Sequence, residues 1–150
     1  MREYCFLIGK HDAPERIRDS LDRAVEECAA DGITLFVVGS RGNFDRLAAQ
    51  SVLRLKHRRA EVTLLLLLAY HPAERPADLP DGFDGTLYPE GMERVPRRFA
   101  IARANERAAG GARCIIAYTD GTPGGTERLL RRAEAYERTG KCRIVLLPRL

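Results

Sequence analysis

The chain of 150 residues contains no tryptophan, only three lysines and no long hydrophobic run. The longest apolar stretch, 64–70, is far too short to cross a bilayer, and the N-terminal run lacks the length and cleavage region of a signal peptide. We therefore expect a cytoplasmic protein with no membrane partner. Aromatic residues make up only 7% of the chain, which disfavours nucleic acid as a partner, because single-strand binding surfaces stack bases on aromatic rings.

Cysteine is also sparse, and no CxxC pair occurs. The four cysteines lie far apart, at Cys5, Cys28, Cys114 and Cys142, and three of them fall in or beside apolar runs typical of buried strands. In such places cysteine behaves as a small hydrophobic residue. Without a secretory signal, we expect reduced core thiols rather than disulfides. The sequence assigns no metal site and no cofactor.

The rest of the composition is that of a globular protein. Apolar residues make up 45% and charged residues 31% of the chain, enough for a sizeable core, and the length suits one domain. The 25 basic and 21 acidic residues leave a net charge of +4. This mild excess favours anionic ligands, whereas a dedicated DNA-binding protein usually carries a concentrated basic face.

Short apolar runs alternate with longer amphipathic segments along the chain. Runs without polar alternation indicate strands buried on both faces, and apolar residues spaced three and four apart indicate helices with one core face. This order predicts a single α/β, Rossmann-like domain over 1–150, with a mainly parallel sheet flanked by helices. A Pro-rich, irregular excursion interrupts the alternation at about 71–96. We expect strands at 4–8, 33–38, 62–69, 113–118 and 143–147, and helices from about 12–31, 44–59, 96–111 and 126–138.

In open α/β sheets, ligands bind beyond the carboxyl ends of the strands. Gly9, Lys10 and His11 place a cation and an imidazole directly after the first predicted strand. A polar turn, with Asp12 as the cap of the next helix, is the alternative interpretation.

The loop after the second predicted strand is the second candidate. Its small residues let the backbone approach an anion, and free amides at the start of the following helix favour negative charge. A glycine-bearing turn, with its acid in the first turn of the helix, is the alternative. The candidate ligand-binding residues of this loop are Gly39, Ser40, Arg41 and Asp45.

The loop at 120–127 is the strongest of the three candidates. It has three glycines where an ordinary turn needs one, and hydroxyl groups at the start of a helix suit a phosphate or ribose-phosphate. Its candidate ligand-binding residues are Gly121, Thr122, Gly124, Gly125, Thr126 and Glu127. Arg94, Arg98, Ile101 and Asn105 also follow helical spacing, so Arg98 and Asn105 are candidates to hold a phosphate and a base or ribose. A solvated basic face explains that stripe equally well.

Gly39, Phe44-Asp45, Ala48-Ala49 and the 120–126 segment together resemble the YpsA-like branch of the SLOG superfamily. That superfamily groups Rossmann-like proteins with the Lonely Guy phosphoribohydrolases and the DNA-processing protein DprA. The resemblance implies a nucleotide or nucleotide-derived ligand held across the two glycine loops, without implying a known reaction. The Lonely Guy enzymes have a glutamate three residues after the threonine of this motif, and here that position is Leu129.

Three functions remain open on these grounds. The first is binding of a nucleotide or related phosphorylated metabolite, as a sensor or signalling module. The second is hydrolysis of an N-glycosidic or phosphate bond in such a ligand, with His11, Asp45 and Glu127 as polar candidates. Single-stranded DNA binding ranks last. A nucleotide-like small molecule is the expected partner, and homo-oligomerisation is left open by the sequence.

Overall fold

The apolar runs form one six-stranded sheet in the computed structural model, which describes residues 2–149. Every pair of neighbouring strands is parallel, and the order across the sheet is β4-β3-β2-β1-β5-β6. The prediction of an α/β, Rossmann-like domain is therefore confirmed. The strands are β1 (Tyr4–Gly9), β2 (Leu35–Val38), β3 (Thr63–Leu67), β4 (Gly85–Leu87), β5 (Cys114–Tyr118) and β6 (Arg143–Leu146).

Four helices cover the two faces of this sheet. Apolar residues of α1 (Arg18–Ala30) and α2 (Asn43–Arg58) pack on one face, and those of α3 (Ala100–Gly111) and α4 (Gly125–Arg138) pack on the other. Strand β1 supplies both layers, with Leu7 on the first face and Phe6 on the second. Both faces are covered, which is why the central strands are apolar throughout. No helix within residues 2–149 is long and apolar enough to span a membrane.

The Pro-rich segment holds more regular structure than the sequence indicates. Its strand β4 pairs in parallel with β3 and extends the sheet by one edge strand. Asp84 holds this strand in place. Its carboxylate accepts a hydrogen bond from the Leu64 amide at 2.9 Å and forms an ion pair with Lys56 at 2.7 Å. A 3-10 turn, Met92–Arg94, follows. Three residues are too few to show a strand period, so the alternation rule could not find β4.

The strand order reverses beside β1. The chain builds outward from β1 through β2, β3 and β4, then returns to place β5 on the other side of β1. Such a reversal leaves a crevice beyond the carboxyl ends of the two strands on either side of it. The crevice is therefore expected between the loops that follow β1 and β5.

Close packing of α2 against the end of β1 depends on Gly9. A Cβ atom at that position would lie 2.3 Å from ring carbons of Phe44, which is fully buried in α2. We predict that Gly9→Ala lowers the free energy of unfolding by about 1–3 kcal/mol, since the buried ring must shift. Urea denaturation measures this. Gly124→Ala is the control, because a Cβ there meets nothing within 4 Å, and equal midpoints for the two variants would contradict the prediction.

Candidate functional site

A cavity of about 860 Å³ opens at the carboxyl edge of the sheet. It is lined by the ends of β1 and β3, by the loops after β1, β2 and β5, by the first turns of α2 and α4, and by one face of α3. The volume lies within the range of about 300–1,000 Å³ that is typical of small-molecule sites. The cavity therefore occupies the position that the strand order predicts.

The loop after β1 connects to the loop after β5 through one ion pair. Lys10 Nζ donates to Asp120 Oδ2 at 2.7 Å, and Asp12 lies 3.7 Å from the same nitrogen. The hydrogen bond to Asp120 raises the pKa of Lys10, and the same bond holds the pKa of Asp120 well below its usual range. Lys10 thus stays a cation, in the cavity lining, directly at the reversal of strand order.

The loop after β2 packs tightly against the loop after β1. The His11 carbonyl accepts a hydrogen bond from the Asn43 amide at 2.7 Å, and a Cβ at Gly42 would lie 2.7 Å from that carbonyl oxygen. Gly42 also has a φ of 92°, a conformation that favours glycine. This contact, rather than a ligand, explains the second glycine of the loop.

Asp45 is a half-buried acid in the first turn of α2. Its Oδ2 accepts the Arg41 amide at 2.8 Å and fills the space beside Gly39, where a Cβ would lie 2.7 Å away. Burial raises the pKa of Asp45 to about 6, although the Arg41 amide and the nearby charge of Arg41 act in the opposite direction. The carboxyl group can therefore be protonated in the cavity wall near pH 6.

Two side chains hold the loop after β5 in shape. Asp120 Oδ1 accepts the amide and the hydroxyl of Thr122, at 3.0 and 2.6 Å. The buried Thr119 accepts the Gly121 amide at 3.2 Å and donates to Glu127 Oε1 at 2.9 Å. The loop is thereby ordered before any ligand binds.

The start of α4 is open to the cavity. Gly124 precedes the helix with a φ of 171°, an extended conformation that any residue adopts, and a Cβ there would meet nothing within 4 Å. The value of glycine at this position is thus space rather than backbone freedom. The first amides of α4 have no acceptor within the helix.

Most of the residues predicted from the sequence come together here. The cavity lining includes Gly9, Lys10, His11, Gly39, Ser40, Arg41, Asp45, Asn105, Thr122, Gly124, Gly125, Thr126 and Glu127. Gly121 and Arg98 do not belong to that lining. Gly121 takes a positive φ of 88° with Arg149 beside it, so it shapes the turn behind the cavity wall.

The helical stripe expected around Arg98 is wrong, because α3 begins only at Ala100. Arg98 lies in a separate 3-10 turn after Pro96 and stacks on Phe99, with 4.8 Å between the guanidinium carbon and the ring centroid. Arg94 lines a second, smaller cavity. Only Ile101 and Asn105 of the stripe reach the main cavity.

Sequence reasoning missed an aromatic and cationic wall built by the Pro-rich segment. The Arg75 guanidinium lies 4.1 Å from the centroid of the Tyr70 ring, and Arg97 lies 5.7 Å from it. Arg97 also pairs with Glu74 at 2.6 Å. Tyr70 and Arg75 both line the cavity. The sequence around them has no periodicity, so the direction of their side chains could not be predicted from it. Elsewhere in the lining, Arg132 pairs with Glu106 at 2.9 Å.

The cavity can therefore attract anions and position an aromatic group. Its lining contains five basic side chains, Lys10, Arg41, Arg75, Arg128 and Arg132, and four acidic ones, Asp45, Asp78, Glu106 and Glu127. Among residues 2–149, no group of three or more His, Cys, Asp or Glu side chains that could hold a metal ion lies in this cavity.

No protein-family model matches the chain, and no curated protein matches its sequence. The chain is similar in fold to the structure of DNA processing protein A from Streptococcus pneumoniae, with a TM-score of 0.66 and 14% identity over 97% of this chain. This chain spans about half, 50%, of the length of that protein.

Two further structures are similar over nearly the whole chain. The molybdenum cofactor binding protein from the phototrophic bacterium Rippkaea orientalis matches 97% of this chain and 90% of its own, with a TM-score of 0.57 and 14% identity. DNA processing protein A from Helicobacter pylori, studied for its single-stranded DNA binding mode, matches 94% and 74%, with a TM-score of 0.56 and 11% identity. At such identities the likenesses show the fold alone, a Rossmann-like α/β fold.

Proposed function

We propose that the protein binds a nucleotide, or a phosphorylated metabolite derived from one, in the cavity at the reversal of strand order. The observation that carries this proposal is the convergence of the start of α4, the start of α2 and the Lys10 cation on one 860 Å³ cavity. Helix N-termini attract anions through their free amides and their dipoles, and a cation at the same place adds a charge-assisted contact.

The phosphate end of the ligand belongs beside Gly124 and Gly125. A Cβ added at Gly124 meets nothing within 4 Å, and the nearest group to one at Gly125 is Arg128, 4.0 Å away. A phosphate can approach the backbone of this turn without a steric obstacle. Thr122 and Thr126 line the same wall and offer hydroxyl groups.

The base or ribose end belongs toward α3 and the Pro-rich segment. Tyr70 is held under Arg75, Ile101 is 37% exposed, and Asn105 offers an amide that can both donate and accept. A flat ring can pack against the apolar part of this wall while Asn105 contacts its polar edge. The cavity thus offers helix amides and Lys10 at one end, and an aromatic and apolar wall with the Arg75 cation at the other.

The resemblance to the YpsA-like branch supports the same proposal. The resemblance is carried by the loop that contains Gly39 and by the 120–126 segment, and these two loops meet at the cavity. We place the protein in the cytoplasm, as a sensor or signalling module that responds to such a ligand. Single-stranded DNA remains the less favoured ligand.

A hydrolytic function is the second candidate, and Asp45 is the observation that favours it. Its carboxyl group has a raised pKa of about 6 and lies in the cavity wall, so it can donate a proton to a leaving group near neutral pH. Glu127, hydrogen-bonded to Thr119, is a second carboxyl group in the lining. Cleavage of an N-glycosidic bond would use one of them as the acid.

Isothermal titration of the folded protein against mononucleotides, NAD, ADP-ribose and cyclic nucleotides tests binding directly. Saturable heat with at least one of these ligands supports the proposal. No heat with any of them, from protein that melts cooperatively, would overturn it. A salt-dependent mobility shift with a single-stranded oligonucleotide, in the absence of nucleotide binding, would replace it with the nucleic-acid alternative.

We predict that Gly124→Val weakens binding of whichever of these nucleotides binds the wild type by about a hundredfold or more. Loss of two charge-assisted hydrogen bonds of about 1.5 kcal/mol each corresponds to that factor. The melting temperature should stay near that of the wild type, because φ at Gly124 is extended and the space beside it is open. Gly85→Val is the matched control, in an edge strand outside the cavity lining. Unchanged affinity in Gly124→Val would show that the loop is a turn with no role in binding.

We predict that Asp45 makes folding less favourable as pH rises. Its pKa is about 6 in the folded protein against 3.8 normally, so the folded state holds the proton more tightly than the unfolded state. The free energy of unfolding of the wild type, relative to Asp45→Asn, should fall between about pH 4 and pH 6 by no more than about 3 kcal/mol, and stay level above pH 7. Urea denaturation of both proteins across pH 3.5–8 measures it. A difference in free energy of unfolding that does not change with pH would show that the pKa of Asp45 is not raised in the folded protein.

If the protein is a hydrolase, we predict that Asp45→Asn slows release of free base from a nucleoside monophosphate by about 10²–10⁴-fold. Chromatography of the reaction mixture measures the product. Release at the wild-type rate by the double variant Asp45→Asn, Glu127→Gln would identify the activity as a contaminant.

A further inference from the structure

Three of the four cysteines meet in the core, at the end of the strands away from the cavity. Cys5 near the start of β1 and Cys114 at the start of β5 are register partners on neighbouring strands, and Cys28 reaches them from the end of α1. Their sulfur atoms all lie within 4.8 Å of one another, and none of the three residues is more than 1% exposed. The cavity opens at the carboxyl ends of the strands, whereas this cluster lies near their amino ends.

We propose that Cys5, Cys28 and Cys114 form a thiolate site for a single soft metal ion, of the class to which Cu(I) belongs. Thiolate sulfur is the ligand that selects soft ions. The centre of an equilateral triangle with sides of 4.8 Å, the upper limit here, lies about 2.8 Å from each corner, and a Zn–S bond is about 2.3 Å. A contraction of a few tenths of an ångström therefore closes the cluster on an ion.

The number of ligands favours a three-coordinate ion. Structural zinc sites are almost always four-coordinate and tetrahedral. Within residues 2–149, no His, Asp, Glu or fourth Cys joins this group. Cys142 is also buried, but it belongs to the apolar layer on the other face of the sheet. Three sulfur atoms without a fourth ligand suit Cu(I) better than Zn²⁺.

The cluster is surrounded by apolar side chains that exclude water, except on one side, where a basic side chain lies. The cluster lies in the apolar layer between the sheet and α1. Arg143, the register partner of Cys114 on β6, lies beside the Cys114 sulfur and pairs with Asp31 at 2.8 Å. Binding releases the thiol protons and leaves a negatively charged metal–thiolate group, next to which Arg143 is a cation already paired with Asp31.

A competition titration of the reduced full-length protein with chelated Cu(I), under anaerobic conditions, tests the site. We expect one ion per chain for the wild type and for Cys142→Ser. For Cys28→Ser, which lacks one ligand, binding should be weaker by more than the about 10–100-fold that loss of a partner orienting a ligand costs. Saturating Cu(I) should raise the melting temperature of the first two proteins and not of the third. Equal binding by Cys28→Ser would overturn the proposal, and so would tighter binding of Zn²⁺ than of Cu(I).

A second measurement needs no variant. Under mild denaturant, Cu(I) should protect Cys5, Cys28 and Cys114 from alkylation more strongly than Cys142, which is protected only as far as the ion stabilises the fold, as peptide mass mapping would show. Equal protection of all four thiols, or protection of none, contradicts a site at the three.

Discussion

Because both faces of a parallel sheet carry apolar side chains, each crossover must lay a helix on one face or the other. Here α1 and α2 cover one face and α3 and α4 cover the second, so the chain has to reverse its direction of growth beside β1. That reversal separates the loops after β1 and β5 and leaves the cavity between them. The position of the candidate site is thus a consequence of burying the sheet.

The loops at the cavity are held by local bonds that have little to do with a ligand. Gly9 lets Phe44 seat α2 against β1, and Gly42 lets the next loop pack on His11. Lys10 and Asp120 then join the two sides of the reversal through one exposed ion pair, at 2.7 Å. The result is a preorganised wall in which Gly124 and Gly125 leave open space beside the backbone. Preorganisation of this kind lowers the ordering cost of binding an anion.

Acidic and cysteine residues acquire their chemistry only from their neighbours. Asp45 is one of many carboxyl groups in the sequence, and burial beside Gly39 raises its pKa to about 6. Cys5, Cys28 and Cys114 are far apart in the chain, so no short motif marks them, yet strand register and helix packing bring their sulfur atoms together. The two features lie at opposite edges of the same sheet, which allows each to be tested without disturbing the other.

The sequence by itself determined the fold class, five of the six strands and the glycine-bearing loops that line part of the cavity. Apolar runs and helical spacing are local signals, and strand ends in a parallel sheet always meet at one edge. Tertiary structure alone decided the rest. Strand β4 is three residues long and is held in place by Asp84. Arg98 lies outside the cavity lining because a 3-10 turn after Pro96 precedes α3. Arg75 lines the cavity, where it stacks on Tyr70. Each of these is a contact made outside the regular helices and strands, or a local break in periodicity, and a periodic pattern carries no information about either.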